Sequence, residues 1–345
     1  MTSIRSRRVR TVLGASAALA LTAGGAFAQG EVNIYSYREP GLIDPMLKAF
    51  TTKTGIKVNV VFANAGLNER LAAEGANSPA DLLLTTDAAR LTEAKDAGLT
   101  QSATNATLAA VPAAYRDGDG HWYGLTMRAR VVYAHKTRVA QSDISYEDLA
   151  DPKWKGKICT RPGQHAYNTA LVATIIAHKG EAAAEAWLTG VKANLARKPA
   201  GGDREQVRDV HAGLCDIALA NTYYMAAMLQ NPEQKAWAES VKILFPNAAD
   251  RGSHVNISGV ALTKASKNRD NAVALMTFLA SDEGQGLYAA VNNEYPISPK
   301  VPASDMVKSW GTLKPDALPL DAIAKNRKRA SELIDKVGFD QGPGA

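Results

Sequence analysis

Three tyrosines and two cysteines are the residues whose types and spacing call for a chemical explanation. Cys159 and Cys215 are the only cysteines, and Tyr167 and Tyr223 each follow one of them by eight residues, with Tyr224 adjoining. If the cysteines are bridged, two neighbouring strands are tied together and each delivers a tyrosine to the same end of a sheet. On a strand, adjacent side chains point to opposite faces, so Tyr223 and Tyr224 would not converge. In the first turn of a helix they differ by about 100°, and both oxygens still reach one large ion. A helix N-terminus also favours negative charge, which lowers the cost of ionising a phenol. Phenolate is a hard donor suited to a small, highly charged cation. A free tyrosine titrates near about 10, so the metal must drive off the proton. Fe³⁺ is acidic enough to do so at neutral pH, whereas Ca²⁺ and Mg²⁺ recruit carboxylates. The competing role for Tyr223-Tyr224 is an aromatic wedge in the core, because tandem tyrosines are also packing elements.

The elements that must position these residues follow from periodicity. Val32–Ser36 is a β-rich run, and Leu42–Thr54 places Leu42, Ile43, Met46, Leu47 and Phe50 on one helical face before Gly55. Ile56–Phe62 alternates as a strand, Leu67–Glu74 reads as a helix, and Ala80–Leu84 as a short strand. Asp87 is placed to cap a helix over Ala88–Ala97 that Gly98 ends. This β-α-β-α-β order is that of a doubly wound parallel sheet. The second half repeats it: Gly156–Cys159, a helix over Tyr167–His178, another over Glu181–Leu195, the strand Cys215–Ala220 and a short helix Tyr223–Leu229. Leu125–Ala134 and Val255–Leu262 are longer extended stretches, suited to cross between two lobes as a hinge. Pro299–Pro319 reads as a wrap and Asp321–Val337 as a final amphipathic helix. Ligands of open α/β sheets bind beyond the carboxyl ends of strands. Those positions hold Tyr35–Glu39, Thr85–Asp87, His165–Asn168 and Asn221–Tyr224, rich in tyrosine for a chain that is 6% aromatic.

Length and composition narrow the classes. With 345 residues, 46% of them hydrophobic and 21% charged, the chain matches two α/β lobes and excludes disorder. Its formal charge of +6 includes Arg5, Arg7, Arg8 and Arg10; without them 36 basic residues face 34 acidic ones, so no nucleic-acid partner is implied. Those arginines lead the apolar run Val12–Thr22, and Ala26-Phe27-Ala28 follows with small residues at peptidase positions. Residues 1–28 therefore read as a signal peptide, with maturation near Gln29. Arg7-Arg8 hints at twin-arginine export, which Val9-Arg10-Thr11 fits poorly. No later stretch is long enough to span a membrane, so the mature chain is expected to be soluble. Export to an oxidising compartment favours the Cys159–Cys215 bridge over two free thiols, and no histidine spacing supports zinc. Nucleotide motifs, H-E-x-x-H spacing and G-x-S-x-G turns are missing, so no enzyme is expected. His165 and His254 are expected to be structural or solvated, and Asp44 and Asp87 to sit at helix ends.

The segments IYSYREPGLIDP (Ile34–Pro45), EGANSPADLLLTTDAARL (Glu74–Leu91), WYGLTMRARVVY (Trp122–Tyr133), DPKWKGKICTRPGQHAYNTALVA (Asp151–Ala173), GGDREQV (Gly201–Val207), CDIALANTYY (Cys215–Tyr224), FPN (Phe245–Asn247), HVNISGVALTK (His254–Lys264) and NEYPIS (Asn293–Ser298) together resemble the periplasmic ferric-iron-binding proteins of ABC importers. The resemblance covers nearly all of the mature chain. It implies a two-lobe periplasmic-binding-protein fold (type II, α/β) with β-strand hinges: an N-terminal lobe of residues 29–126 with 260–300, and a C-terminal lobe of 127–259 with 301–345. It places the metal ligands on Tyr167, Tyr223 and Tyr224. Some members carry a His-Tyr pair after the first strand; Glu39 and Pro40 stand there in this chain. That departure points to a subgroup in which carbonate, a similar small anion or water completes the Fe(III) shell. Arg38 is then the candidate anion holder, helped by Tyr37 and by Arg128 or Arg130, with a salt bridge the competing role for each arginine. The implied partners are an ABC permease and its ATPase, with the protein a periplasmic monomer. A competing reading keeps the cleft for an oxyanion or organic cation, and a third, from another class, is a secreted hydrolase or transferase.

Overall fold

Apolar, β-branched runs set the strands of the computed structural model, which describes residues 30–344; the signal peptide expected over residues 1–28 lies outside the described residues. The strands are β1 (Glu31–Ser36), β2 (Lys57–Phe62), β3 (Leu82–Thr85), β4 (Thr100–Gln101), β5 (Trp122–His135), β6 (Ile158–Cys159), β7 (Ile217–Asn221), β8 (Val241–Leu244), β9 (Val255–Thr263) and β10 (Tyr295–Pro296). They form one sheet in the order β2-β1-β3-β9-β5-β7-β6, with β4 against β9, and β8 and β10 against β5. Every residue of β3, β7 and β9 is buried, as is every residue of β5 before His135. Strands buried on both faces carry long apolar stretches rather than strict alternation, and the buried polar residues of β5 and β9, among them Arg128, Arg130 and Asn256, stand out against them.

The expected parallel arrangement holds at the two ends of the sheet and fails in its centre. β1 pairs in parallel with β2 and β3, and β6 with β7. Between these sets, β9 is antiparallel to both β3 and β5, and β5 is antiparallel to β7. The sheet is mixed because β5 and β9 run through it as long strands rather than returning through crossover helices. β5 changes partner along its length: Trp122–Ala129 pairs with β9 and Arg130–Ala134 with β7. Gly124 and Gly259 face each other where the β5–β9 register shifts. A Cβ at either would lie 2.8 Å from a backbone oxygen, of Tyr115 or Tyr123, so the close approach requires glycine.

Local signals place the helices. The first runs over Asp44–Thr54, two residues later than periodicity predicts, because Pro40 opens a separate 3₁₀ turn and Pro45 must lie in the first helical turn. Its buried residues are Met46, Leu47 and Phe50, and Gly55 ends it at φ 74°. Asp87 caps the helix Ala88–Asp96 by accepting from the Ala89 amide at 2.8 Å. The wrap after Pro299 contains a short helix, Asp305–Ser309, and meets Ser253 at Pro315. The final helix, Leu320–Val337, packs chiefly on the helix Ala166–Lys179. Among the described residues no helix is long and apolar enough to cross a membrane.

Two features of the fold give measurable expectations. The Cys159–Cys215 disulfide is present, with Cα atoms 5.9 Å apart and the cysteines 56 positions apart in sequence. Closing a loop of that size stabilises by about 4 kcal/mol in the chain-entropy account. Alkylation without reductant should leave the intact mass unchanged, and Cys159→Ala/Cys215→Ala should lose about that amount in urea denaturation; a loss below about 1 kcal/mol would contradict the entropic account. The second feature is His254, buried with Nδ1 2.9 Å from Thr174 Oγ1. Burial, with Arg128 and Arg130 nearby, pushes it down to about 3. The folded state keeps it neutral while the unfolded chain takes up a proton below about 6.5. Stability is therefore intact above that pH and falls by up to about 1.4 kcal/mol per unit as acid is added. Between pH 7.5 and 5.0 the wild type should lose about 2 kcal/mol more than His254→Asn. Equal losses would show that His254 does not carry the effect.

Candidate metal centre

The parallel pair β6–β7, tied by the disulfide, ends in two helix starts, and these carry the tyrosines. Tyr167 is the second residue of the helix Ala166–Lys179, and Tyr223 and Tyr224 open the helix Tyr223–Gln230. The His165 ring caps the first helix, its Nδ1 accepting from the Tyr167 amide at 3.2 Å. Its imidazole meets the Tyr167 ring edge-on, with centroids 4.6 Å apart. The Tyr167 and Tyr223 hydroxyls lie 3.2 Å apart, and the Tyr223 and Tyr224 rings 4.3 Å apart at 35°. Three phenols thus line one cavity of about 550 Å³. Tyr37, Arg38, Glu39, Arg90 and Arg161 share its wall.

Burial favours the protonated form of two of these phenols. Burial raises the Tyr223 phenol well above its ordinary value, and the neighbouring Tyr167 and Tyr224 add to the rise. Burial raises Tyr224 likewise. Desolvation is the largest influence on both of these phenols. A cation entering here must displace protons from groups that hold them firmly, which selects for a strong Lewis acid. Among the described residues no cluster of three or more His, Cys, Asp or Glu is placed to hold a metal.

Charge around the tyrosines comes from arginines directed at rings rather than at oxygens. The guanidinium carbons of Arg161, Arg128 and Arg130 lie 5.0, 5.7 and 5.9 Å from the Tyr167 centroid, and that of Arg204 lies 5.1 Å from the Tyr224 centroid. Such cations favour a ring whose oxygen becomes negative.

The residues expected to hold an anion are placed unequally. Arg38 reaches the cavity wall, but it is buried against Glu294 through Nη2, and Nη1 donates to Ser258 Oγ at 2.5 Å. Nε is the one nitrogen without a partner, so no two-point guanidinium fork faces the cavity. The Tyr37 hydroxyl accepts from the Asn68 amide at 2.9 Å, and Arg90 covers its ring at 4.0 Å. Arg128 lies outside this wall, in a small void behind Tyr167 of about 10 Å³, with Nη1 3.4 Å from Ser258 and Nη2 unpartnered. Arg130 is committed to Asp203, Asn221, Asn168 and Leu219. Sequence reasoning missed Arg161, Arg90, Asp203 and Glu294. Arg161 lies two residues beyond β6, where the strand-end rule finds it; Arg90, inside a helix, carries no such signal.

A family described as bacterial extracellular solute-binding protein matches residues 77–316, and the chain belongs to it. Members of that family bind solutes for transport and are not enzymes. Iron uptake protein A1 of Synechocystis sp. is 42% identical over 316 residues, spanning 90% of this chain and 88% of the relative. The apo ferric ion-binding protein A of Pasteurella haemolytica superposes with a TM-score of 0.87 at 48% identity, over 90% of this chain and 98% of that one. A Trichodesmium protein, FutA (IdiA), solved in complex with iron and citrate, superposes at 0.84 with 40% identity, over 90% of this chain and all of its own. The fold is accordingly the two-lobe periplasmic-binding-protein fold.

Proposed function

We propose that this chain captures Fe(III) in the periplasm through the phenolates of Tyr167, Tyr223 and Tyr224 and hands it to an ABC permease and its ATPase. The observation that carries this reading is the meeting of the three phenols on one cavity wall that arginines flank. Three phenolates match the ion's charge, and the described residues offer no competing carboxylate, imidazole or thiolate cluster. The relatives named for iron uptake and ferric ion binding support the same cargo. A lobe of residues 29–126 with 260–300 would close on one of 127–259 with 301–345. The change of partner along β5 supports bending there. The protein acts as a soluble monomer.

Tyr→Phe removes only the oxygen, so a packing tyrosine loses about 1 kcal/mol and nothing else. Purified without chelators, the wild type should carry iron and a visible phenolate charge-transfer band. Tyr223→Phe, Tyr224→Phe and Tyr167→Phe should lose the band and most of the affinity while remaining folded. Tyr115→Phe, which removes a half-buried phenol outside the cavity, should keep both. Undiminished iron binding by Tyr223→Phe would exclude this site.

Three phenolates leave part of an octahedral shell to be completed, and carbonate or a similar small anion fills it in this reading. Arg38 Nε, together with Arg161 and Arg90 on the same wall, supplies the positive charge. Because Arg38→Ala alone strands buried Glu294 at a cost of about 3–5 kcal/mol, the variant should be paired with Glu294→Gln. In anion-depleted buffer, Fe³⁺ binding by the wild type should strengthen on adding bicarbonate, and the paired variant should respond less. An equal response would remove Arg38 from anion binding, and no response in the wild type would leave water as the completing ligand.

A further inference from the structure

The segment between the two tyrosine-bearing elements in sequence contributes a carboxylate that touches neither cavity nor cargo. Asp203 opens the helix Asp203–His211, and its side chain is wholly buried. Oδ2 accepts from Arg130 Nη1 at 2.6 Å and from the Asn221 amide at 2.9 Å, while Oδ1 accepts from Arg161 Nη1 at 3.3 Å. Each contact leads to a tyrosine. Asn221 ends β7, two residues before Tyr223. Arg130 uses Nη2 to donate to Asn168 Oδ1 at 2.8 Å, and Asn168 is the neighbour of Tyr167. Asn168 Nδ2 donates in turn to the Arg161 carbonyl at 2.9 Å, closing the loop onto the residue whose guanidinium faces the Tyr167 ring. The disulfide joins the same two elements eight residues before each tyrosine, and the β6–β7 pairing, which ends at Cys159 and Ala218, also lies upstream.

We propose that Asp203 is a positioning residue for iron capture: its carboxylate sets the Tyr167 helix start and the Tyr223-Tyr224 helix start against each other, so that their oxygens meet at the spacing one ion requires. The inference rests on the iron reading for its consequence and on the contacts above for its geometry. Only a carboxylate serves all three donors. An asparagine would present an N–H to a cation or an amide on one side, because its nitrogen accepts nothing. Groups that orient metal ligands typically change affinity by roughly 10- to 100-fold.

The test compares Asp203→Asn with Asp203→Asn/Arg130→Gln, which removes the fully buried Arg130 charge together with its partner if the single variant folds poorly. Asp209→Asn is the control. Asp209 lies in the same helix but pairs with Arg197 and Arg208, away from the tyrosines. In the iron-free protein, ring-labelled tyrosine NMR should show a Tyr167–Tyr223 cross-peak for wild type and control, and a weakened or absent one for both Asp203 variants. In Fe³⁺ titrations those variants should lose roughly 10- to 100-fold in affinity with a displaced band maximum, and the control neither. An unchanged cross-peak in both Asp203 variants overturns the proposal, as does an equal change in the control. If the wild type binds no Fe³⁺, the iron reading fails by itself, and the cross-peak still decides the role of Asp203.

Discussion

Three phenols gathered in one place, one buried and two half-buried, cannot all ionise together unless a cation replaces their protons. Tyr167 and Tyr223 sit at hydrogen-bond distance, which requires a proton on at least one of them. Burial and the neighbouring phenols both resist ionisation at Tyr223. This constraint orders the surroundings. The oxygens must stay free to change partner, so the nearby guanidinium groups approach the rings and leave the hydroxyls alone. The aromatic bodies must be held firmly meanwhile, which two helix starts, the first capped by His165, do better than a loop.

The buried charges of the molecule fit the same demand. Arg38 and Arg130 are almost completely buried, and each has a carboxylate partner at zero exposure, Glu294 and Asp203. Such pairs add little net stability, because desolvation of both ions offsets their attraction. Their value here is geometric. Glu294 reaches across 256 residues to hold Arg38 and also accepts from Thr126 on β5. Asp203 gathers β5, β7 and the segment after β6. Stability itself rests on the apolar strands that these charges interrupt, from Ile34 and Leu82 through Val260 to Val131 and Leu219, all nearly inaccessible.

Much of the local structure was legible in the sequence because its causes are local. Asp87 caps the helix assigned to it, Gly55 ends the first helix in a left-handed conformation, and the helix Leu67–Glu74 has the limits read from periodicity. The strands Ala80–Leu84 and Cys215–Ala220 were found but displaced toward their N-terminal ends; the ladder begins at Leu82 and at Ile217. The antiparallel centre of the sheet was not legible. Pairing direction depends on which distant strands meet, and β3 with β9 joins residues about 180 apart.

From the sequence came the side chains proposed to carry the chemistry and roughly where each sits. Cysteines and tyrosines at equal offsets implied two strand ends side by side, and the family resemblance implied three oxygen ligands from them. Only the tertiary structure decided what each polar group is free to do. Arg38 just after β1 reads as a two-point anion holder until Glu294 takes Nη2 and Ser258 takes Nη1, which leaves Nε alone for a ligand. Asp203 is one acid among 34 until folding buries it among donors from three segments. Residue type and spacing specify a group's capacity, whereas its partners are chosen by long-range packing, and a hydrogen bond or ion pair once made is no longer available to a ligand.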